Sequence, residues 1–139
     1  MYSDVADEGT GGADLSFDEA FARLKPVYEA LYADYLRRHG DELPADYRRI
    51  AQIQILGPGA GFFYLEFGKN GVDVVPCTYH DADVFLAASF DNLVGMTDGT
   101  VSADRLFMNG QLRVLGNIAK GAELRHMLRP ISKRKKTRR

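Results

Sequence analysis

The sequence has a single cysteine, Cys77, so it can build neither an internal disulfide framework nor a cysteine-based zinc site. No stretch approaches the ~18 consecutive apolar residues of a membrane span. The first residues lack the basic-then-apolar order of a secretory signal. There is no internal repeat and no linker between two cores. At 139 residues the chain is long enough for one domain and short of two typical ones. Hydrophobic residues make up 45% and charged residues 27%, which suits a packed core and excludes disorder throughout. The expectation is a soluble, cytoplasmic protein.

What charge there is lies unevenly. The net value of −1 conceals an acidic start and a basic end. Residues 1–14 carry four acidic groups (Asp4, Asp7, Glu8 and Asp14) and no basic one. Residues 129–139 carry seven of the 18 basic groups; without that tail, 11 basic groups face 19 acidic ones. The reading divides the chain into a disordered acidic segment (1–14), a folded domain (15–129) and a basic arm (130–139). Lys133, Arg134, Lys135, Lys136, Arg138 and Arg139 could track an anionic membrane surface, at ~1 kcal/mol per basic residue near the surface. The protein would then be membrane-peripheral. RNA binding and plain solubility are the alternatives. No aromatic residue interleaves the arm, so base stacking has no platform, which argues against nucleic acid.

Local patterns supply the elements. Ser16-Phe17-Asp18-Glu19 matches a capping box, and apolar residues then recur at three- and four-residue steps from Phe17 to Leu36. This predicts an amphipathic helix that Pro26 kinks or splits and Gly40 ends. Ile50 to Ile55 alternates like a strand. Gly57 to Gly61 must turn, Phe62 to Phe67 returns, and Asn70-Gly71 marks a second hairpin before Val72 to Val75. Ala82 to Ala88 gives a fourth strand. Short helices over about 90–96 and 102–108 start at the caps Ser89 and Ser102. Gln111 to Leu115 reads as a fifth strand. Asn117 caps a last helix that runs to about Leu128, before Pro130.

Enzyme chemistry finds little support in these residues. His39, His80 and His126 fall in separate segments, without metal-ligand spacing. Cys77 lacks an evident activating base, since closeness to His80 in a loop is not a dyad. The glycines at 57, 59 and 61 fit no phosphate-binding loop. The distinctive feature is a soft apolar set in the C-terminal half: Phe90, Leu93, Val94, Met96, Leu106, Phe107, Met108, Leu112, Val114, Ile118, Leu124 and Met127. Such a set can be plain core, or it can adapt to a hydrophobic ligand, because methionine fills irregular space.

Three runs carry a resemblance. They are Ala82-Asp83-Val84, Ser89-Phe90-Asp91-Asn92-Leu93, and Phe107-Met108-Asn109-Gly110-Gln111-Leu112-Arg113-Val114-Leu115-Gly116-Asn117. Together with the strand patterns at Ile53-Gln54-Ile55 and Phe63-Tyr64-Leu65, they resemble the sterol carrier protein 2 family over about residues 45–129. The resemblance implies an α+β fold: a five-stranded, mostly antiparallel sheet with helices packed on one face, enclosing an apolar tunnel. It implies no catalysis and no cofactor. The twelve apolar residues named above would line the tunnel and hold a fatty-acyl, sterol-like or other lipid. Animal members of the family end in a peroxisomal signal, whereas this chain ends Lys136-Thr137-Arg138-Arg139. That difference points to a bacterial-type, stand-alone member. Accessory presentation of polyprenylated quinone precursors is a second functional reading, and a ligand-free interaction module is a third. Phe62, Tyr64 and Phe85 alternate to the outer sheet face, where they suit a homodimer or a partner protein.

Overall fold

The computed structural model describes residues 14–131. The acidic segment, apart from Asp14, and the arm from residue 132 onward lie outside the described residues. Helix α1 spans Phe17–His39. Its capping box is complete: Ser16 Oγ accepts from the Glu19 amide at 3.1 Å, and Glu19 Oε1 accepts from the Ser16 amide at 3.0 Å. The apolar stripe buries Ala20, Leu24, Tyr28, Leu31, Tyr32 and Tyr35. Pro26 does not split the helix. Pro26 is exposed, and so is Ala22, whose carbonyl loses its helical donor and can be satisfied by water instead. Gly40 does not end α1 in the left-handed conformation. At φ −58° it continues into a 3-10 turn, Gly40–Glu42.

Five strands follow: β1 (Arg48–Leu56), β2 (Gly61–Gly68), β3 (Val72–Val75), β4 (Val84–Ser89) and β5 (Arg113–Gly116). Helices α2 (Phe90–Asp98) and α3 (Ala103–Met108) lie between β4 and β5, and α4 (Ile118–Met127) follows β5. Ser89, Ser102 and Asn117 cap these helices, as their positions in sequence predict. The sheet order is β3-β2-β1-β4-β5. Three pairings are antiparallel and one, β1 with β4, is parallel. Strand β5 starts at Arg113 and not at Gln111, because the Gln111 and Leu112 amides both donate to the Leu106 carbonyl and close the turn after α3.

Register decides which face is core. Ala51, Ile53 and Ile55 pair with Val84, Leu86 and Ala88, and Leu86 pairs with Val114. This row faces the helices, and all of it except Val114 packs with Phe63, Leu65 and Phe67 against α1 and α2 in one cluster. Phe63 meets Phe21 and Tyr28 with ring centroids 5.6 and 6.0 Å apart, and Phe67 meets Tyr32 at 4.9 Å. The Tyr32 hydroxyl donates to the Gly68 carbonyl at 2.6 Å, and burial pushes its pKa up to about 12. The opposite face carries Gln52, Phe62, Tyr64, Phe85 and Leu115. The Tyr79 ring lies 5.0 Å from Tyr64, and the Tyr79 amide donates to Gln52 Oε1, so the loop after β3 covers part of this face.

Candidate functional site

The C-terminal flank of the core is assembled from α2, α3, β5 and α4. Of the apolar set singled out in sequence, Phe90, Leu93, Leu106, Leu112, Leu124 and Met127 are buried in the common core. Val94 and Met96 are half-buried against it. Val114 is 37% exposed, Phe107 56%, Met108 84% and Ile118 89%. Two reasons account for the split. Helix α3 has only six residues and buries a single side chain, Leu106. Strand β5 is the sheet edge, so no further strand covers Val114.

Helix α4 covers the core lightly. It buries only Leu124 and Met127. Polar contacts hold it in place. Glu123 accepts from the Tyr47 hydroxyl at 2.5 Å and from Arg49 Nε at 2.9 Å. Lys120 Nζ donates to Asp83 Oδ1 at 2.9 Å, and Asp83 Oδ2 accepts from the Ile50 amide at 2.8 Å. Arg125 pairs with Asp104 on the exposed side. Burial pushes the Glu123 carboxyl up, but the Tyr47 and Arg49 hydrogen bonds outweigh it and hold the pKa below the ordinary value. Asp83 is also pushed up by burial and held low by the Ile50 amide and Lys120. Both carboxylates are therefore charged near neutral pH. At the start of α4, Gly116 has φ +114°, and a Cβ there would lie 2.5 Å from the Asp83 carbonyl oxygen. This close approach lets the Asn117 amide donate to that same carbonyl at 2.9 Å.

Two open clefts flank these elements. One of about 420 Å³ is lined chiefly by Pro26, Val27, Ala30, Leu31, Pro130 and Ile131, where the chain leaving α4 crosses α1. The other, about 470 Å³, lies by Arg105, Met108 and Asn109. Neither of these two is enclosed.

Sequence reasoning overlooked Tyr47, Arg49, Lys120 and Glu123, and named Asp83 only within the Ala82-Asp83-Val84 run. The only local signal was a pair of opposite charges, Lys120 and Glu123, one turn apart on α4. It also kept His39 and His126 apart. Their rings sit 5.6 Å from each other, and Tyr35 packs against both. His80 lies beside Asp81 and is exposed, and Cys77 is an exposed free thiol. Among the described residues, no group of three His, Cys, Asp or Glu side chains could hold a metal ion. No described helix is long and apolar enough to cross a membrane.

The sequence profile of the SCP-2 sterol transfer family matches residues 31–129, which takes in most of α1, the whole sheet and the C-terminal flank. The chain belongs to that family. It has the α+β architecture expected of the family. A fatty acid-binding protein of Yarrowia lipolytica is 41% identical over 49 residues, covering 35% of this chain and 38% of that protein. Hydroxysteroid dehydrogenase-like protein 2 of Mus musculus is 27% identical over 95 residues, covering 68% of this chain and 19% of that protein. The chain thus spans well under half the length of either curated relative. Among solved structures, the UbiJ-SCP2 ubiquinone synthesis protein superposes with a TM-score of 0.60 at 21% identity, covering 78% of this chain and 91% of that one. At that identity the likeness speaks for the fold alone.

Proposed function

We propose that the protein is a non-catalytic carrier that takes a fatty-acyl, sterol-like or other hydrophobic ligand between its sheet and the C-terminal helices. Residues 15–129 form the carrying unit in this reading. The observation that carries the proposal is the weak apolar seating of α4 over the core of a domain from a lipid-binding family. Unseating Leu124 and Met127 exposes two apolar side chains, at about 1.5–3 kcal/mol each as an upper estimate. A ligand that buries ten methylenes returns about 8 kcal/mol before ordering costs. The two quantities are of similar size, so helix opening and ligand burial can be coupled in one event. Leu93, Leu106, Leu112, Leu124 and Met127 would then face the ligand, with Phe90, Val94 and Met96 behind them. Phe107, Met108, Val114 and Ile118 would sit at the mouth.

No step needs a base or a nucleophile. Selectivity would follow from width and length and would be broad. A cytoplasmic carrier that meets membranes peripherally fits the basic arm, Lys133 to Arg139. The arm gives an anionic surface a place to attract the protein, although it lies outside the described residues. Mass spectrometry of lipid extracted from the purified protein tests the reading. Fatty acids, phospholipids or sterol-like lipids in near-stoichiometric amount are the expected result. Polyprenylated phenols would favour the accessory role in quinone synthesis, a reading in keeping with the likeness to the UbiJ-SCP2 protein. No extractable lipid, together with no uptake of a fluorescent fatty acid, would refute both.

A further inference from the structure

Exposed apolar side chains gather in one short stretch. Among the described residues, six large hydrophobic side chains are exposed, and five of them (Phe107, Met108, Val114, Leu115 and Ile118) fall between residues 107 and 118. They stand on the end of α3, on both faces of the edge strand β5, and on the first turn of α4. Val114 lies on the core-facing row and Leu115 on the outer row, so the patch wraps around the sheet edge. A patch of this kind on a folded domain marks a contact surface.

Charge identifies the partner. Residues 1–98 carry 7 basic and 17 acidic side chains, whereas residues 99–139 carry 11 basic and 2 acidic. Six of those 11 lie in the arm outside the described residues, and Lys120 and Arg125 are paired with Asp83 and Asp104; Arg105 and Arg113 are exposed within the stretch that carries the patch. A second copy meeting the first through this patch would bring Arg105 and Arg113 of both copies to one interface across a two-fold axis, which costs energy. An anionic lipid surface offers the complement: phosphates for the arginines and a hydrocarbon boundary for the apolar tips.

We propose that the edge formed by the end of α3, β5 and the start of α4 docks the protein on anionic bilayers, with Met108, Leu115 and Ile118 entering the interface. The purpose of this docking rests on the carrier reading, but its geometry does not. Docking here would place the first turn of α4, the helix that must move, against the membrane that gives or receives the ligand.

The test is sedimentation of the full chain with vesicles of phosphatidylcholine mixed with phosphatidylglycerol, and with vesicles of phosphatidylcholine alone. The parent should prefer the mixed vesicles. Met108→Asp and Ile118→Asp should each lower partitioning about tenfold. Both sites are exposed, so circular dichroism should show an unchanged fold. An environment-sensitive dye on Ile118→Cys, in a Cys77→Ser background, should shift to the blue when the mixed vesicles are added. Equal partitioning of parent and variants, or a dye that does not shift, would overturn the proposal. So would a concentration-dependent dimer that Leu115→Asp dissolves, because the patch would then join two copies. Uptake of a fluorescent fatty acid from solution is read separately. Its loss in the parent, with docking intact, would sink the carrier reading and leave the docking face standing.

Discussion

The two ends of the sheet are built differently. On one side of the central strand β1, β2 is locked under α1 by Phe63, Leu65, Phe67, Tyr28 and Tyr32, all buried and in ring-to-ring contact or close packing. At the other end, β4 and β5 lie under α4, which buries two apolar side chains and holds on through Glu123 and Lys120. The first end obtains its order from apolar burial, which is non-directional and hard to undo locally. The second relies on hydrogen-bonded ion pairs, which are modest in strength and reversible when partly exposed. A carrier needs this division, because one end must hold the fold while the other parts to admit a ligand.

Substitutions should reveal the contrast in order of size. Phe63→Ala, at a fully buried site, should cost about 3–5 kcal/mol in urea unfolding and leave the protein barely folded. A loss under 1 kcal/mol would mean that the first end is not the stable one. Glu123→Ala removes the acceptor for both Tyr47 and Arg49 and should cost about 1–2 kcal/mol after allowance for partial exposure. It should also speed the release of a fluorescent fatty acid; unchanged release would disconnect α4 from gating. Ser89→Ala should cost about 1 kcal/mol through loss of the α2 cap, whose Oγ accepts from the Asn92 amide at 3.1 Å. Ile118→Ala, at the exposed start of α4, should change the unfolding midpoint within the ~0.5 kcal/mol usual for surface sites.

Acid should act on the second end first. The Asp83 and Glu123 carboxyls are held below their ordinary values in the folded protein. A depressed folded-state pKa contributes stability that is fully present above the unfolded value, roughly 4, and is lost as pH falls through the lowered value. Ligand release should therefore accelerate below about pH 4, before the main unfolding transition. Release and unfolding that coincide at every pH would remove the distinction between the two ends.

How much the sequence disclosed follows the same line. The Ser16–Glu19 capping box, the strand alternation and the caps at Ser89, Ser102 and Asn117 were legible because each depends on residues within one turn or one hairpin. The resemblance of residues 82–117 to the family was legible because it rests on contiguous runs. The polar contacts that hold α4 were not, since Tyr47, Arg49 and Asp83 are distant in sequence from Glu123 and Lys120. The exposure of Val114 could not be foreseen either. Its alternation marks a buried row, but burial needs a neighbouring strand, and β5 is last in the sheet. Phe107 and Met108 look like core by composition, yet the six-residue helix fully buries only Leu106.

Amide hydrogen exchange, followed residue by residue with and without a long-chain fatty acid, tests the account most directly. The account predicts that α4 and β5 exchange well ahead of β1 and β2 in the free protein, and that the fatty acid slows the first pair selectively. Equal protection at both ends, unchanged by the fatty acid, would contradict it.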